Sequence, residues 1–501
     1  MQKFANAART NLATAITATT PGLSVTAGTG AKFPTLGTGD WFYATIQEGD
    51  TLEIVKVIAN SGDSFTVPLV NRGQNGTTAS AFTTAAVVGL RPVAADFDKA
   101  VGFQTAYNVL SYGADPTGTV SSSAAIQTAI NEAYAAGGGL VEIPAGAYLL
   151  TSEVETFPTV TVRGAGRRVT RLLANTNGMR MIFCDTTTNA GVVIRDMTLL
   201  GNGKSSVTGI KLHGLSKANG ERISNIFLSD LELFGAATEM AVGIDLKFCV
   251  NIKLSSIWIS LTATGISSDN SADVDMSSIT VQNGSGTGIS IIGDGEAGAG
   301  YSQDEGYRLV GCNTNGQRVG LTIAGQDWGT ASSCSFTTAP DGALVMAGSQ
   351  TWRFSGCEFS ASTFAVVQVV PATYSSVVRN PYGVQFTGCN ISIGTWGMLL
   401  NGDEHVVSGC TFTVCSANDL FMGNAGTTRY CSVTGNTFSS ANANPRIQEG
   451  ASGITTNYNS FVGNTIKKGG GPGLFRAVSA GANSLYEIPT TPATPLNVFY
   501  T

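Results

Sequence analysis

The sequence predicts an all-β chain dominated by a parallel β-helix, a solenoid in which short strands wind around one long axis. Composition, length and an internal period predict it. Charged residues are only 12% of the chain and glycine numbers 62. The helix formers Lys, Glu and Arg are scarce while Ser, Thr, Asn, Val and Ile abound, which suits short strands joined by tight turns. The 501 residues exceed what one ordinary core holds, so several domains or a one-dimensional repeat is expected. A polar or small residue, one inward residue, then an apolar residue two further on recurs as Met197/Leu199, Leu231/Leu233, Ile257/Ile259, Ile279/Val281, Cys312, Cys334/Phe336, Cys357/Phe359, Cys389/Ile391, Cys410/Phe412, Asn436/Phe438 and Asn464/Ile466. The steps between them are 34, 26, 22, 33, 22, 23, 32, 21, 26 and 28 residues. A step of about 21 to 23 residues is one bare coil of a three-sheet β-helix, and the longer steps carry excursions. About eleven coils stacked ~4.8 Å apart span ~50 Å, with equivalent side chains aligned in ladders.

Residues 1–100 read as a small all-β domain, because 41–46, 52–57 and 64–67 alternate as strands around the turn residues Asn60-Ser61-Gly62-Asp63. Residues 101–155 hold a linker, a short helix and the first solenoid strands. Ser121, Ser122 and Ser123 offer hydroxyl N-caps to a helix with Ile126, Ile130 and Ala133 on one face, ended by Gly137, Gly138 and Gly139. Such a helix, directly before a strand-rich solenoid, plugs its open end. Residues 156–468 are the β-helix proper. Residues 469–501 follow a Gly-rich hinge, and their few apolar stretches, Leu474-Phe475, Leu485-Tyr486-Glu487-Ile488 and Val498-Phe499-Tyr500, need partners from outside.

Two stretches carry family resemblances. Asn71-Arg72-Gly73-Gln74-Asn75-Gly76, followed by Val87-Val88-Gly89-Leu90-Arg91-Pro92, resembles the short β module common near the N-termini of phage tail fibres and spikes. Tyr112-Gly113-Ala114, Ala125-Ile126-Gln127, Ala129-Ile130, Gly137-Gly138-Gly139 and Ile143-Pro144-Ala145-Gly146 with Tyr148 resemble the pectate-lyase-like superfamily typical of phage tailspikes. Where that family has an acidic pair before the helix, this chain has Ser121 and Ser122, so no role of those acids carries over. The resemblance implies a right-handed parallel β-helix, a homotrimer closed by 469–501, and a virion-anchoring role for 1–100. It also implies a tail protein made in the host cytoplasm and assembled on the virion, which binds capsule or lipopolysaccharide during adsorption and depolymerises it. A non-catalytic tail fibre or virion structural part with the same fold is the alternative.

Composition limits the partners. The formal charge of -6 leaves no excess of Lys and Arg to neutralise phosphates, so nucleic acid and anionic membrane fit poorly and sugars fit better. No run reaches the roughly 18 to 20 apolar residues of a membrane span, and residues 1–6 lack an apolar signal core, so a soluble, not classically secreted protein is expected. Nine Cys without a CxxC pair spell neither a disulfide framework nor a zinc site. Five of them, Cys312, Cys334, Cys357, Cys389 and Cys410, share one register position and read as an interior stack of reduced thiols. The ladder then passes to Asn436 and Asn464, as a stacked amide ladder or as turn residues. With only His213 and His405 present, acid–base chemistry falls to Asp and Glu, and no cofactor or metal is expected.

The register also selects acids. Seven residues before the ladder stand Glu305, Asp327, Gln350 and Asp403, which puts Glu305 and Asp327 on adjacent coils. Two carboxylates one stacking step apart repel, so one keeps its proton to higher pH, and acid and base arise from one residue type. Glu305 and Asp327 are therefore the catalytic candidates for endoglycosidic hydrolysis, with Asp304, Arg308, Trp328, Trp352 and Arg353 as substrate-binding candidates offering acid, cation and aromatic faces. Residues 293–300, rich in Gly, form one wall of the groove. Screened, solvated turn residues are the alternative for the pair. Asp269, Asp273 and Asp275 loosely resemble a calcium loop without its Gly and distal Glu, Asp403, Glu404 and His405 form a third group, and Trp258 and Trp396 read as packing. A lyase needs a cation to neutralise a uronate carboxylate, for which Arg308 and Arg353 are available.

Overall fold

The computed structural model describes residues 2–6, 8–93, 106–185, 191–216, 221–293, 306–374, 377–440, 446–451, 454 and 456–466, and the backbone of three later strands. It divides into two compact units, Met1–Thr105 and Ala106–Thr501.

In the first unit Arg9–Asn11, Val87–Gly89, Phe42–Glu48 and Thr51–Val57 form an antiparallel sheet in that order. Its core gathers Leu12, Phe33, Phe42, Ile46, Val55, Phe65 and Phe82. The Arg72-Gly73 stretch earns its place through a buried ion pair. The Arg72 guanidinium donates to both Glu53 oxygens at 2.6 and 2.8 Å and to the carbonyls of Thr17, Thr20 and Ser80. Every charge and donor of that fork is met, as a buried pair requires.

The second unit is a parallel β-helix, as the sequence predicts. Its coils each contribute strands to three faces. Tyr307–Val310 lies on the first face, Asn313–Asn315 on the second and Val319–Ala324 on the third; Gly329–Ser332, Ser335–Thr337 and Gly342–Ala347 repeat them one coil on, in parallel register. Between the first and second faces the chain turns on one residue with positive φ: Asp230 at 51°, Ser256 at 55°, Ser278 at 54°, Gly311 at 59°, Ser333 at 51° and Gly356 at 56°. Left-handed backbone costs an ordinary side chain about 1 kcal/mol, which is why Gly, Asp and Ser recur there.

The residue after that turn is the inward ladder. Leu231 aligns with Ile257 and Ile257 with Ile279 there, and two residues further on Phe336 aligns with Phe359, Ile391 with Phe412 and Phe412 with Phe438. Phenylalanines stack along the axis, Phe354 on Phe386 at 4.9 Å and Phe412 on Phe438 at 4.8 Å. The cysteine stack does more than fill space. Cys357 Sγ donates to Ala331 O of the preceding coil at 3.4 Å, Cys389 to Phe354 O and Cys410 to Phe386 O, each at 3.6 Å. Asn436 performs the same task with an amide, donating to Val407 O at 2.8 Å while its Oδ1 accepts the Cys410 N–H at 2.8 Å; Asn464 repeats it on Val433 and Asn436. The corner leaves backbone groups unpaired by the sheets, and these side chains satisfy them.

The N-terminal plug is the helix Ser123–Ala135, with Ala125, Ile126, Ala129, Ile130 and Ala133 buried on the solenoid. The serines before it act otherwise than as caps. Ser122 makes no side-chain cap bond; its hydroxyl accepts the Asp115 N–H at 2.9 Å, while Ser123 Oγ accepts the N–H groups of Thr151 and Ser152 at 3.0 and 3.2 Å. They stitch the plug to the first coils. Inside the segment that the sequence sets aside for subunit closure, Phe475–Ala477 and Leu485–Pro489 continue the parallel stack on Ile447–Glu449 and Ser460–Val462, and Pro495–Phe499 returns antiparallel.

All nine cysteines are free and buried, and burial pushes the thiols of Cys184, Cys249, Cys415 and Cys431 up to about 12. A thiol-specific disulfide reagent at neutral pH should therefore titrate none of them in the native protein and all nine in denaturant; a fast-reacting native thiol would contradict the stacked ladder.

Candidate functional site

In a strand, alternate residues point outward, and stacking turns each outward position into a column. On the first face one column runs Lys253, Asp275, Arg308, Thr330, Arg353, Gln385. Beside it, at the corner that enters this face, backbone with positive φ recurs at Asn251, Asp273, Gly306, Trp328, Thr351, Gly383 and Glu404. The two columns enclose a cleft of about 390 Å³ lined by Asp275, Tyr307, Arg308, Trp328, Thr330 and Arg353. Trp328 stands at φ 58° with 58% of its surface exposed. An aromatic held in left-handed backbone and left in water is strained for no packing gain, which makes the position a candidate for contact with a ligand. Its neighbour must be glycine: a Cβ on Gly329 would come within 2.4 Å of the Trp352 ring beneath.

Of the residues expected to bind substrate, Arg308, Trp328 and Arg353 meet in this cleft. Arg308 is engaged by Asp275 at 2.9 Å, a pair still largely in water. Trp352 is corrected: it is fully buried, its indole N–H donates to Gln326 O at 3.0 Å, and it supports the cleft from inside the core. The strand alternation at Gly329 and Trp352 points it inward. Asp304 and Glu305 lie outside the described residues, as do 294–300 of the expected wall.

Asp327 is bound on both oxygens. Oδ1 accepts the Gln350 N–H at 2.9 Å and Oδ2 pairs with the Arg379 guanidinium, a nearly buried contact. Burial pushes its carboxyl above the usual range, while Arg379 and the Gln350 N–H pull the other way. Arg379 belongs to the strand Val377–Arg379 of a hairpin with Ala372–Tyr374, so Asp327 ties that hairpin to the corner. The other acidic groups disperse. Asp269 pairs with Lys247 at 2.9 Å on the third face and Asp275 with Arg308 on the first. Asp403 pairs with Arg429 at 2.6 Å, Glu404 accepts the Tyr382 hydroxyl at 2.5 Å, and His405 is wholly buried. Among the described residues no group of three or more His, Cys, Asp or Glu side chains is arranged to hold a metal, and no helix is long and apolar enough to cross a membrane.

A second group on the third face escapes the sequence reading. His213 Nε2 lies 2.9 Å from Asp245 Oδ2 on the next coil, and both are partly exposed. Lys211 aligns with Asp245, and His213 with Asp185 on one side and Lys247 on the other. Arg180 bridges Glu153 at 2.6 Å and Asp185 at 2.5 Å, and holds the Glu153 carboxyl below its ordinary range. The imidazole is thus oriented by a carboxylate, and two of the cations around it are themselves paired, Lys247 with Asp269 and Arg180 with Glu153 and Asp185. The signal was present: His213 is 16 residues after Met197 (213 − 197) and Lys247 is 16 after Leu231 (247 − 231), so the ladder itself puts them side by side.

The chain belongs to the rhamnogalacturonase A/epimerase, pectate-lyase-like family, whose model matches residues 106–366. Mannuronan C5-epimerase AlgE5 of Azotobacter vinelandii is 36% identical over 110 residues, 19% of this chain and 11% of that protein. AlgE4 of the same organism is equally similar, over 20% of its length; the chain thus spans a fifth or less of these relatives. The backbone follows the A-module of AlgE4 at TM-score 0.53 and 17% identity, covering 75% of this chain and 99% of that one. It also follows a variant tailspike protein of E. coli bacteriophage HK620, solved with a pentasaccharide, at TM-score 0.52 and 12% identity, covering 82% and 83%. At such identities the likeness is one of fold.

His405 illustrates how a residue suited to acid–base work is spent on structure. Its Nδ1 accepts the Val384 N–H at 3.1 Å and its Nε2 faces Asn401 O at 2.9 Å, the corner duty that Asn459 performs for Cys431 one coil beyond. Burial lowers its pKa from 6.5 to about 4, with Asn401 O and Asp403 opposing. The unfolded chain therefore binds a proton that the folded chain refuses, and stability falls as pH drops from 6.5 toward 4. Comparing denaturant unfolding at pH 7 and pH 4.5, the native protein should lose about 2 to 3 kcal/mol more than His405→Gln; equal losses would show the imidazole to be solvated.

Proposed function

We propose that the chain is the adsorption spike of a phage tail, a homotrimer held to the particle by its N-terminal unit, and that it binds a bacterial surface polysaccharide in the Trp328 cleft. The observation that carries this reading is the cleft itself. An exposed indole offers a flat face to the C–H side of a sugar ring, while Arg308, Arg353, Asp275 and Thr330 offer fixed donors and acceptors to its hydroxyls. The columns continue coil after coil, so successive sugars of one strand meet equivalent positions. The net charge of -6 agrees with a ligand other than nucleic acid. The fold shared with a tailspike solved with a pentasaccharide supports the same direction. Trp328→Ala should weaken binding of host polysaccharide about tenfold, measured by titration calorimetry, with an unchanged unfolding midpoint; undiminished affinity would remove the cleft from the proposal.

A specific observation favours cutting as well as binding. Lys211 stands beside the His213–Asp245 pair, a cation suited to an acidic glycan, while Lys247 is held by Asp269. A lysine neutralises the uronate carboxylate and so acidifies the adjacent C5–H. Imidazole takes that proton, the electron pair becomes the C4–C5 double bond, and the C4–O bond breaks as the imidazolium returns the proton to the leaving oxygen. Hydrolysis by Glu305 and Asp327 is the competing route. The products separate them: His213→Ala should abolish ultraviolet-absorbing unsaturated ends. Saturated reducing ends that persist in His213→Ala and vanish in Glu305→Gln would assign the cut to the carboxylates.

A further inference from the structure

The second face carries another cleft, of about 450 Å³, walled by Arg167, Arg168, Glu232 and Trp258. It lies apart from both groups above, on a face where neither the Trp328 cleft nor the His213 group has a residue. Its origin is an insertion. In later coils a single positive-φ residue, Asp196 or Asp230, joins the first face to the second. Between Val160–Gly164 and Thr170–Ala174 the chain takes five residues, 165–169, to make the same turn. This excursion leans along the axis. Gly166 N donates to Asp196 O at 2.8 Å, Arg168 N donates to Thr198 Oγ1 at 2.8 Å, and Arg168 itself is at φ 65°.

From there Arg168 reaches two coils down the outward column Arg171, Thr198, Glu232, Trp258, a distance of ~10 Å. Its Nε donates to both Glu232 oxygens at 3.1 Å, and Thr198 Oγ1 donates to Oε2 at 3.1 Å. The Glu232 side chain is 9% exposed and the Arg168 side chain 77%. The carboxylate is thus a fixed anchor and the guanidinium a presented group. The Trp258 ring, backed by Phe234 at 6.2 Å, forms the apolar side. Arg167, exposed, carries no ion pair among the described residues, so the cleft holds a positive charge beyond what Glu232 balances.

We infer that this cleft is a second glycan subsite, selective for a sugar bearing an anionic group, carboxylate or phosphate. Trp258 meets the ring and Arg167 with the outer edge of Arg168 meets the anion, the planar fork to which guanidinium is suited. The inference rests on the polysaccharide reading above and adds a site on a different face, so one glycan strand, or two, can engage both.

The test is calorimetric titration of the full chain carrying Trp328→Ala, which removes the first cleft's aromatic face. The probes are a galacturonic acid trisaccharide, mannose 6-phosphate and neutral maltotriose. Binding of either acidic probe, weakened by salt and by about tenfold in Arg167→Ala and in Arg167→Ala/Trp258→Ala, upholds the subsite, and the better probe identifies the anion. Maltotriose binding as tightly as the acidic probes, or acidic affinity unmoved by either variant, overturns it. Arg167 is exposed, so its variant keeps the test valid if Trp258→Ala disturbs the coil. Host polysaccharide that binds the native chain and the double variant equally sinks this inference alone; host polysaccharide that does not bind the native chain sinks the wider reading.

Discussion

Everything in the second unit depends on register-locked parallel stacking. The strands of each coil find their backbone hydrogen-bond partners on the coils before and after it, so a residue's neighbours are fixed by its position in the ladder and not by its distance along the chain. Two demands follow. Most corners between the first and second faces turn on a single residue in left-handed backbone, which favours Gly, Asp and Ser there. The inward residue after each corner must also fill the core while answering backbone groups the sheets leave open. Cysteine, asparagine and one histidine are three solutions to that second demand, alike in geometry though different in chemistry. The cysteines therefore need no redox or metal role to explain their number.

The same stacking builds the surface. Outward positions form columns, so groups more than twenty residues apart in sequence come within one coil spacing. Arg308, Thr330 and Arg353 become one wall in this way, and His213 and Asp245 become one hydrogen-bonded pair. The corners add what the flat faces lack. Where the turn is one residue long, its side chain projects alone, as Trp328 does. Where the turn is longer, as at 165–169, it folds back over a face and encloses a cleft.

The interior was more legible in the sequence than the surface. The spacing of Cys312, Cys334, Cys357, Cys389 and Cys410 gives the coil directly, because interior positions tolerate few residue types and repeat visibly. The helix plug was legible from Ile126, Ile130 and Ala133. Local cap preference does not give the partners of Ser123, because Thr151 and Ser152 arrive from the next strand. The surface partners came from excursions with no period: Arg379, which engages Asp327, lies 52 residues further on in a hairpin. Aromatic content alone does not place Trp352; its alignment with Gly329 does, and that position faces inward. For His213 the informative quantity is its offset from the ladder and not the number of histidines in the chain.

The positive-φ corner of the first face has one more consequence. Along it, Trp328, Tyr430 and Tyr458 project away from the core, and the last two stack on each other at 5.0 Å. Such sites are bound by backbone conformation alone, while the packed ladder behind them stays the same whatever side chain they hold. Side chains there are interchangeable parts on a fixed frame, so the outer surface can change one corner at a time without the molecule having to be refolded around each change.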